Sequence, residues 1–355
     1  MFKKNDTRPF LIAGPCSAET EEQVMATAHG LADSGIDLFR AGVWKPRTKP
    51  GGFEGKGVEA LPWLRRVKQE TGLKTTIEVA TANQVYEALK HGVDVLWIGA
   101  RTTVNPFSVQ EIADALKGVD VPVLIKNPVN PDLELWIGAI ERISNAGVTQ
   151  IGAIHRGFSS YTKTKFRNAP YWEIPIELRR RMPDLPIICD NSHICGNRED
   201  LHEVAQQAFD LNYDGLMTEV HPTPDEAWSD AKQQIIPFVY KEMIKNLIVR
   251  SETSNNPEFV EHIEQLRHKI DEIDLELLNL LGRRMRIAED IGKYKHRNNI
   301  AILQTARWNE ILEKGYEQGR KRGLNDEFVE HFLTAIHKES IVHQQVVMQE
   351  KKVEL

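Results

Sequence analysis

The chain is poor in cysteine. Cys16, Cys189 and Cys195 are the only three in 355 residues. An odd number suggests no disulfide framework and fits a reducing compartment such as the cytoplasm. Long apolar runs are also missing. None approaches the roughly 18–20 residues of a membrane span, and the start "MFKKNDTRPF" lacks the apolar core of a secretory leader. A cytoplasmic protein with no membrane partner is therefore expected. Nor is there an excess of positive charge: 45 Lys and Arg stand against 51 Asp and Glu, for a net charge of −6. That gives no overall pull toward nucleic acid. No G-x-G-x-x-G follows the first apolar run, which removes the usual phosphate turn of a dinucleotide fold. Low-complexity tracts and solenoid repeats are absent too. What remains is 41% hydrophobic and 27% charged, a globular composition in a chain long enough for one large and one smaller domain.

From residue 9 to about 250 one rhythm repeats. A short apolar run ends in polar or glycine residues, and a helix-like segment follows. The runs are "FLIA" (10–13), "LFRAGVW" (38–44), "TTIEVA" (75–80), "DVLWIG" (94–99), "PVLIK" (122–126), "QIGAI" (150–154), "PIICD" (186–190) and "GLMTEV" (215–220). Between them lie helical patterns such as 21–35, 82–92 and 131–147. Alternation of this kind predicts parallel strands with right-handed crossovers, and eight units in this length predict a (β/α)8 barrel, an α/β fold. An open doubly wound sheet is the alternative.

The rhythm stops at a polar linker, "SETSNNP" (251–257), which divides a barrel over 1–250 from a helical domain over 258–355. Pro257 suits a first helical turn. Beyond it, Phe259, Ile263, Leu266, Ile270, Ile273, Leu277, Leu280, Ile287 and Ile291 recur mostly 3–4 residues apart, as on one helix face. Such a helix would run to about 60 Å. A small domain cannot cover it, so a second chain is expected against it. Two shorter helices follow, near 305–320 and 325–350.

The C-terminal strand ends of such a barrel carry its active site. They hold Cys16; Arg40, Lys45, Arg47 and Thr48; Arg101; Lys126; His155 and Arg156; Asp190 and His193; and Glu219 and His221. Only the third strand adds no such residue. Six cations at the mouth of a net acidic chain suit phosphate and carboxylate groups; the plain alternative is scattered surface charge. Cys16, His193, Glu219 and Asp230 form a second subset of S, N and O donors, a mixture that favours Mn, Fe, Co or Zn over Mg or Ca. A lone cysteine after a strand is, by itself, more often a small buried hydrophobe. That reading suits Cys189 and Cys195.

The motifs "GPCS" (14–17), "RAGVWKPRT" (40–48), "IGAR" (98–101), "IKNP" (125–128), "HRG" (155–157), "DNSH" (190–193) and "EVHPTPDEAWSDAKQ" (219–233) together resemble the 3-deoxy-D-arabino-heptulosonate 7-phosphate (DAHP) synthases. The likeness is to short type I members with no N-terminal regulatory extension, and "KPRT" separates them from 3-deoxy-octulosonate 8-phosphate synthases. The resemblance implies condensation of phosphoenolpyruvate with erythrose 4-phosphate, the first step of the shikimate pathway. Cys16, His193, Glu219 and Asp230 fall on its divalent metal positions. Arg40, Lys45, Arg101, Lys126 and Arg156 fall on those for phosphoenolpyruvate, and Arg47 and Thr48 on those for erythrose 4-phosphate. Lys45 is the expected proton donor, with a pKa lowered by the arginines around it.

The tail, with "LRHKIDEIDLELLNLLGRRMRIAEDIGKYK" (266–295), "RW" (307–308) and "ESIVHQQ" (339–345), is similar to the all-helical chorismate mutases. The likeness implies rearrangement of chorismate to prephenate, with Arg267, Arg284, Lys295, Arg307, Ser340 and Gln344 at substrate positions. Arg284, Lys295 and Gln344 would carry the electrostatic catalysis. Arg267 lies 17 residues before Arg284, about 25 Å along a helix, so the intertwined homodimer of that family would supply it from a second chain. Trp308 and Gln304 depart from acidic residues common in the family. The expected chain is thus bifunctional, an α/β barrel followed by a three-helix mutase domain, with the mutase's ligand regulating the synthase. The alternative is a synthase whose tail only dimerises and senses a ligand. A barrel that condenses another aldose is a third reading. Basic clusters at 282–286, 293–297 and 319–323 read as solvated helix faces.

Overall fold

The computed structural model describes residues 1–4, 8–46, 51–162, 164–251 and 253–350. The chain divides into two compact units, Met1–Glu252 and Thr253–Leu355. In the first, the eight apolar runs form β1 (Phe10–Gly14), β2 (Leu38–Arg40), β3 (Lys74–Val79), β4 (Val95–Ile98), β5 (Val123–Lys126), β6 (Ile151–His155), β7 (Ile187–Asp190) and β8 (Gly215–Glu219). They pair in parallel in chain order and close into a barrel, with β8 beside β1. The crossovers hold α1 (Glu21–Leu31), α2 (Leu61–Thr71), α3 (Ala82–Lys90), α4 (Ala100–Thr103), α5 (Pro106–Leu116), α6 (Leu133–Asn145), α7 (Glu173–Arg181), α8 (Asn191–Cys195) and α9 (Leu201–Asp210), and α10 (Pro237–Lys245) follows β8.

The strands read as unbroken apolar runs because both of their faces are covered. Ile12, Leu38, Val95, Trp97, Leu124, Ile154, Ile188 and Met217 form one inner cluster with Phe2 and Phe10. Their neighbours Leu11, Ala13, Phe39, Leu96, Ile98, Val123 and Ile125 pack outward among the helices. This is the two-residue alternation of a strand turned into two cores. Phe2 meets Phe10 edge-on at 5.4 Å between ring centres and plugs the barrel where β1 begins. Helix starts follow from side-chain caps: Thr20, Thr81, Asn105 and Asp132 each accept a first-turn N–H. The first helical pattern ends sooner than its spacing predicts, at Leu31, and Gly35 takes a positive φ of 72° in the turn that follows.

In the second unit α11 (Pro257–Arg297) spans 41 residues, about 60 Å. Asn256 caps it by accepting the N–H of Glu258 and Phe259, with Pro257 in the first turn. α12 (Thr305–Arg320) and α13 (Asp326–Glu350) complete the unit. The second half of α11 packs on α13 so closely that a Cβ added at Gly292 would come within 3.1 Å of the Cα of Gln344. Its first half keeps Phe259, Leu266, Ile270, Ile273, Leu277 and Leu280 exposed. No helix of the described residues is long and apolar enough to cross a membrane.

β1 ends at Gly14, whose φ of 146° and lack of a side chain let the carbonyl of Arg40 approach to 2.1 Å from where a Cβ would sit. Gly14→Ala is therefore expected to destabilise the barrel by more than about 1 kcal/mol, the scale for alanine in a glycine-only conformation. Chemical denaturation of the full chain reads this as a lower midpoint for the barrel transition. An unchanged midpoint would contradict the close approach.

Candidate functional site

Register brings the end of β8 to the end of β1: Gly14 pairs with Glu219. Cys16 follows two residues later, in a loop stitched to the one after β8. Gln234 accepts the Cys16 N–H at 3.0 Å while its own amide donates to the Ser229 carbonyl at 2.8 Å. Ser17 and Ser229 hydroxyls lie 2.6 Å apart. As a result ligand atoms of Cys16, Glu219 and Asp230 lie within 4.8 Å of one another. His193, in α8 just past β7, approaches the same place with Nε2 at 3.8 Å from Glu219 Oε1.

His193, Glu219 and Asp230 each have one atom tied outward and one turned inward. His193 Nδ1 is 2.9 Å from Asp190 Oδ2, which leaves Nε2 for the centre. Burial lowers the His193 pKa despite Asp190, so the ring is neutral at pH 7 and Nε2 offers a lone pair. Glu219 Oε2 accepts from Gln233 at 2.7 Å. Its Oε1 is buried with no hydrogen-bond partner, although Arg40 Nη2 stands 3.0 Å away off hydrogen-bond geometry. Asp230 Oδ1 accepts from Arg167 at 3.0 Å, and Oδ2 is 3.3 Å from the Cys16 sulfur. Burial, Glu219 and Asp230 push the Cys16 thiol up to about 12, so without a cation between them these groups oppose one another. An inward-facing thiol, imidazole nitrogen and two carboxylates, one oxygen of them orphaned, fit a divalent metal ion with soft or borderline character.

The cations lie around this set on an aromatic floor. Trp97 is fully buried in β4, with the Arg40 guanidinium 5.1 Å and Lys126 Nζ 5.7 Å from its ring centre. Lys126 pairs with Asp190 at 2.7 Å. Burial alone would raise Asp190, but His193 and Lys126 outweigh it and hold the carboxyl well below the usual range. Arg40 keeps Nε and Nη1 buried without a hydrogen-bond partner, donors suited to an anion. Arg156 is fixed by Asn168 Oδ1 at 2.6 Å, and Asn127 of "IKNP" accepts its backbone N–H at 2.7 Å. Burial, reinforced by Arg167 and Arg101, brings Arg156 down to about 10 against the pull of Asp190. Arg101 stands in α4, just past β4, and is exposed. Arg47 and Thr48 lie outside the described residues.

One residue was missed by reading strand ends, and one sequence expectation needs correction. The third strand supplies Glu78 from inside the strand rather than its end, where it accepts the Trp97 indole N–H at 3.2 Å. Lys45 donates to the Cys16 sulfur at 3.0 Å and the Cys16 carbonyl at 2.9 Å. Burial works to lower its pKa, yet the Cys16 sulfur and Glu219 outweigh burial and Arg40, and the net shift is upward. The arginine crowding inferred from the motif is real but loses to nearer negative groups. His155 is structural: Nε2 donates to the Pro170 carbonyl, Tyr213 donates to Nδ1, and burial takes its pKa down to about 3. Cys189 and Cys195 are buried thiols pushed up mainly by desolvation.

The helical unit holds a separate cavity of about 600 Å³ lined by Arg284, Lys295, Arg307, Ser340 and Gln344. Arg284 donates to the Ser340 hydroxyl, and Lys295 to the Ile302 carbonyl at 2.5 Å. Gln344 Oε1 is buried with no partner. Arg267 is not among the lining residues; it is exposed and pairs with Glu264. Trp308 stacks on His337 at 4.3 Å between ring centres in the same wall. Sequence reasoning missed His337, which no motif marks. Burial, Arg284 and Lys295 lower its pKa.

Removing one partner of a buried ion pair leaves an uncompensated charge. Asp190→Asn, which strands Lys126, is expected to destabilise the barrel by about 3 kcal/mol. Chemical denaturation of the full chain checks this, and a shift within error of zero would contradict the pairing.

Residues 1–254 match the model of the DAHP synthetase I family, and residues 266–345 that of chorismate mutase type II. The chain is 32% identical over 237 residues to the phospho-2-dehydro-3-deoxyheptonate aldolase of Thermotoga maritima, covering 67% of this chain and 68% of that one. It is 28% identical over 271 residues to the 2-dehydro-3-deoxyphosphooctonate aldolase of Wolinella succinogenes, covering 68% of this chain and 99% of the relative. Among solved structures, the DAHP synthase of Thermotoga maritima matches with a TM-score of 0.59 at 30% identity, over 66% of this chain and 67% of that chain. This protein therefore belongs to the DAHP synthetase I family, as an enzyme whose barrel is a DAHP synthase domain and whose helical C-terminal region is a chorismate mutase domain.

Proposed function

We propose that the barrel condenses phosphoenolpyruvate, erythrose 4-phosphate and one water to DAHP and phosphate in a metal-dependent reaction, the water adding at C2 of phosphoenolpyruvate as its phosphate leaves, and that the helical unit converts chorismate to prephenate. The observation that carries the first reading is the convergence of Cys16, Glu219 and Asp230, with His193 beside them, amid buried cations.

Cys16, His193, Glu219 and Asp230 would hold a Mn, Fe, Co or Zn ion. Such an ion supplies Lewis acidity to the aldehyde oxygen as it gains charge. The chain's own side chains do the rest. Phosphoenolpyruvate carries a carboxylate and a phosphate; Arg40 and Lys126, seated on Trp97, with Arg101 and Arg156, bind both ends and orient its C3 toward the aldehyde. Arg47 and Thr48 would hold erythrose 4-phosphate. Lys45, whose pKa is held above the usual lysine value, stays protonated and would hold the proton that the new hydroxyl takes.

In the helical unit Arg284, Lys295 and Arg307 would bracket the carboxylates of chorismate, while Ser340 and Gln344 line the same cavity. No nucleophile is needed: the compact conformer is held and charge on the ether oxygen is met by fixed donors. Arg267 would come from a second copy of the chain. The exposed apolar half of α11 supports that homodimer.

Assay of both reactions on the full chain tests the scheme. A chelator is expected to abolish DAHP formation and spare chorismate consumption, with divalent metal restoring the first. A synthase that keeps its rate in chelator would contradict the metal reading. Arg284→Ala is expected to slow chorismate consumption by about 100-fold or more, with DAHP formation intact. Arg267→Ala should do likewise, and an equimolar mixture of the two variants should regain about a quarter of the wild-type rate through mixed dimers with one whole site. A mixture that stays dead would contradict the shared site.

A further inference from the structure

The two carboxylates proposed for the metal are joined behind their outward oxygens by a pair of side chains to which the sequence assigns no role, Arg167 outside the motifs and Gln233 at the end of the last one. Arg167, in the loop between β6 and α7, donates from one Nη1 to both Asp230 Oδ1 at 3.0 Å and Gln233 Oε1 at 2.8 Å. Gln233 then donates its amide to Glu219 Oε2 at 2.7 Å. The chain Asp230, Arg167, Gln233, Glu219 is continuous, and it crosses from the β6 loop to the β8 loop to the end of β8.

Each member is held in place by more than this chain. The Arg167 N–H donates to the Cys195 carbonyl at 3.2 Å. Gly196, at φ 69°, leaves the room that Arg167 fills: a Cβ there would come within 2.4 Å of the Arg167 Cβ. Gln233 is buried, and both ends of its amide are used, so its O and N positions are set by its partners. Asp230 has φ 49° and ψ 36°, a left-handed conformation uncommon outside glycine. Such a conformation persists where surrounding contacts over-determine it. Arg167 supplies one of those contacts, gripping the carboxylate on the side away from Cys16.

From this geometry we infer that Arg167 and Gln233 are positioning residues for the metal centre: together they fix the spacing and orientation of the Glu219 and Asp230 carboxylates and so set the affinity of the barrel for its divalent ion. Neither would touch the ion. The inference rests on the metal reading proposed above. Groups that orient ligands from behind are worth roughly 10–100-fold in metal affinity. Arg167 is suited to the task because one planar guanidinium can serve two acceptors with little loss of freedom.

The test is calorimetric titration of Mn²⁺ into the chelator-stripped full chain, comparing wild type with Arg167→Met, Gln233→Leu and the double variant. Arg167 is half exposed, so Arg167→Met keeps the test open should Gln233→Leu fail to fold by circular dichroism. Each folded single variant is expected to bind Mn²⁺ about 10–100-fold more weakly. The double variant should lose less than the product of the two, because both act through one connected network. Wild type that binds Mn²⁺ alongside an Arg167→Met chain within twofold of it would overturn the inference and leave the metal reading standing. Wild type that binds no divalent metal would overturn both.

Discussion

Glu219 is wholly buried at the end of β8, and a carboxylate there must be compensated. Arg40 stands 3.0 Å from it, Gln233 donates to it, and His193 lies 3.8 Å away. The same demand governs Asp190, also fully buried, which takes Lys126 at 2.7 Å and His193. Burial raises the pKa of each carboxylate, yet neighbouring cations and imidazole outweigh it and both remain ionised. The barrel mouth is a set of buried charges of opposite sign. Their partners are chosen so that some oxygens are satisfied from behind while others stay turned toward the centre.

The fold provides the means. Parallel pairing in order places eight strand ends at one mouth, and the register Gly14 to Glu219 brings the chain's first and last strands together. Cys16 and Asp230 are 214 residues apart in sequence and 3.3 Å apart in space. Trp97 supplies a rigid apolar floor beneath Arg40 and Lys126, and its single polar atom is satisfied by Glu78. Dispersed residues thus become a concentrated anion and cation site without a loop having to supply it alone.

The strands were legible because a sheet covered on both faces must be apolar throughout, and the long helix because Asn256, Pro257 and the 3–4 spacing announce it. Cys16, Glu219 and Asp230 could be selected from the sequence because they offer a mixed sulfur and oxygen donor set and the motifs around them resemble those of DAHP synthases, and the structure brings them within 4.8 Å. What escaped were residues whose role is a relation rather than a type. Arg167 and Gln233 look like ordinary loop polarity until their partners are seen. His337 gains meaning only by stacking on Trp308. Glu78 sits inside its strand, where the rule that reads strand ends does not look. The direction of the Lys45 shift was misjudged because the motif shows arginines close in sequence, whereas the sulfur of Cys16, 3.0 Å away, arrives from another strand.

The central claim is that Cys16, a cysteine most simply read as a small buried hydrophobe, serves as a thiolate ligand at the barrel mouth. Burial, with Glu219 and Asp230 beside it, pushes its thiol up to about 12 against the pull of Lys45 and Arg40; a divalent ion would turn that arrangement from opposed to complementary. Titrating Co²⁺ into the stripped full chain tests this directly. The account predicts a thiolate-to-cobalt charge-transfer band in the near ultraviolet for wild type, for Cys189→Ala and for Cys195→Ala, and no such band for Cys16→Ala. A band that survives Cys16→Ala would contradict it.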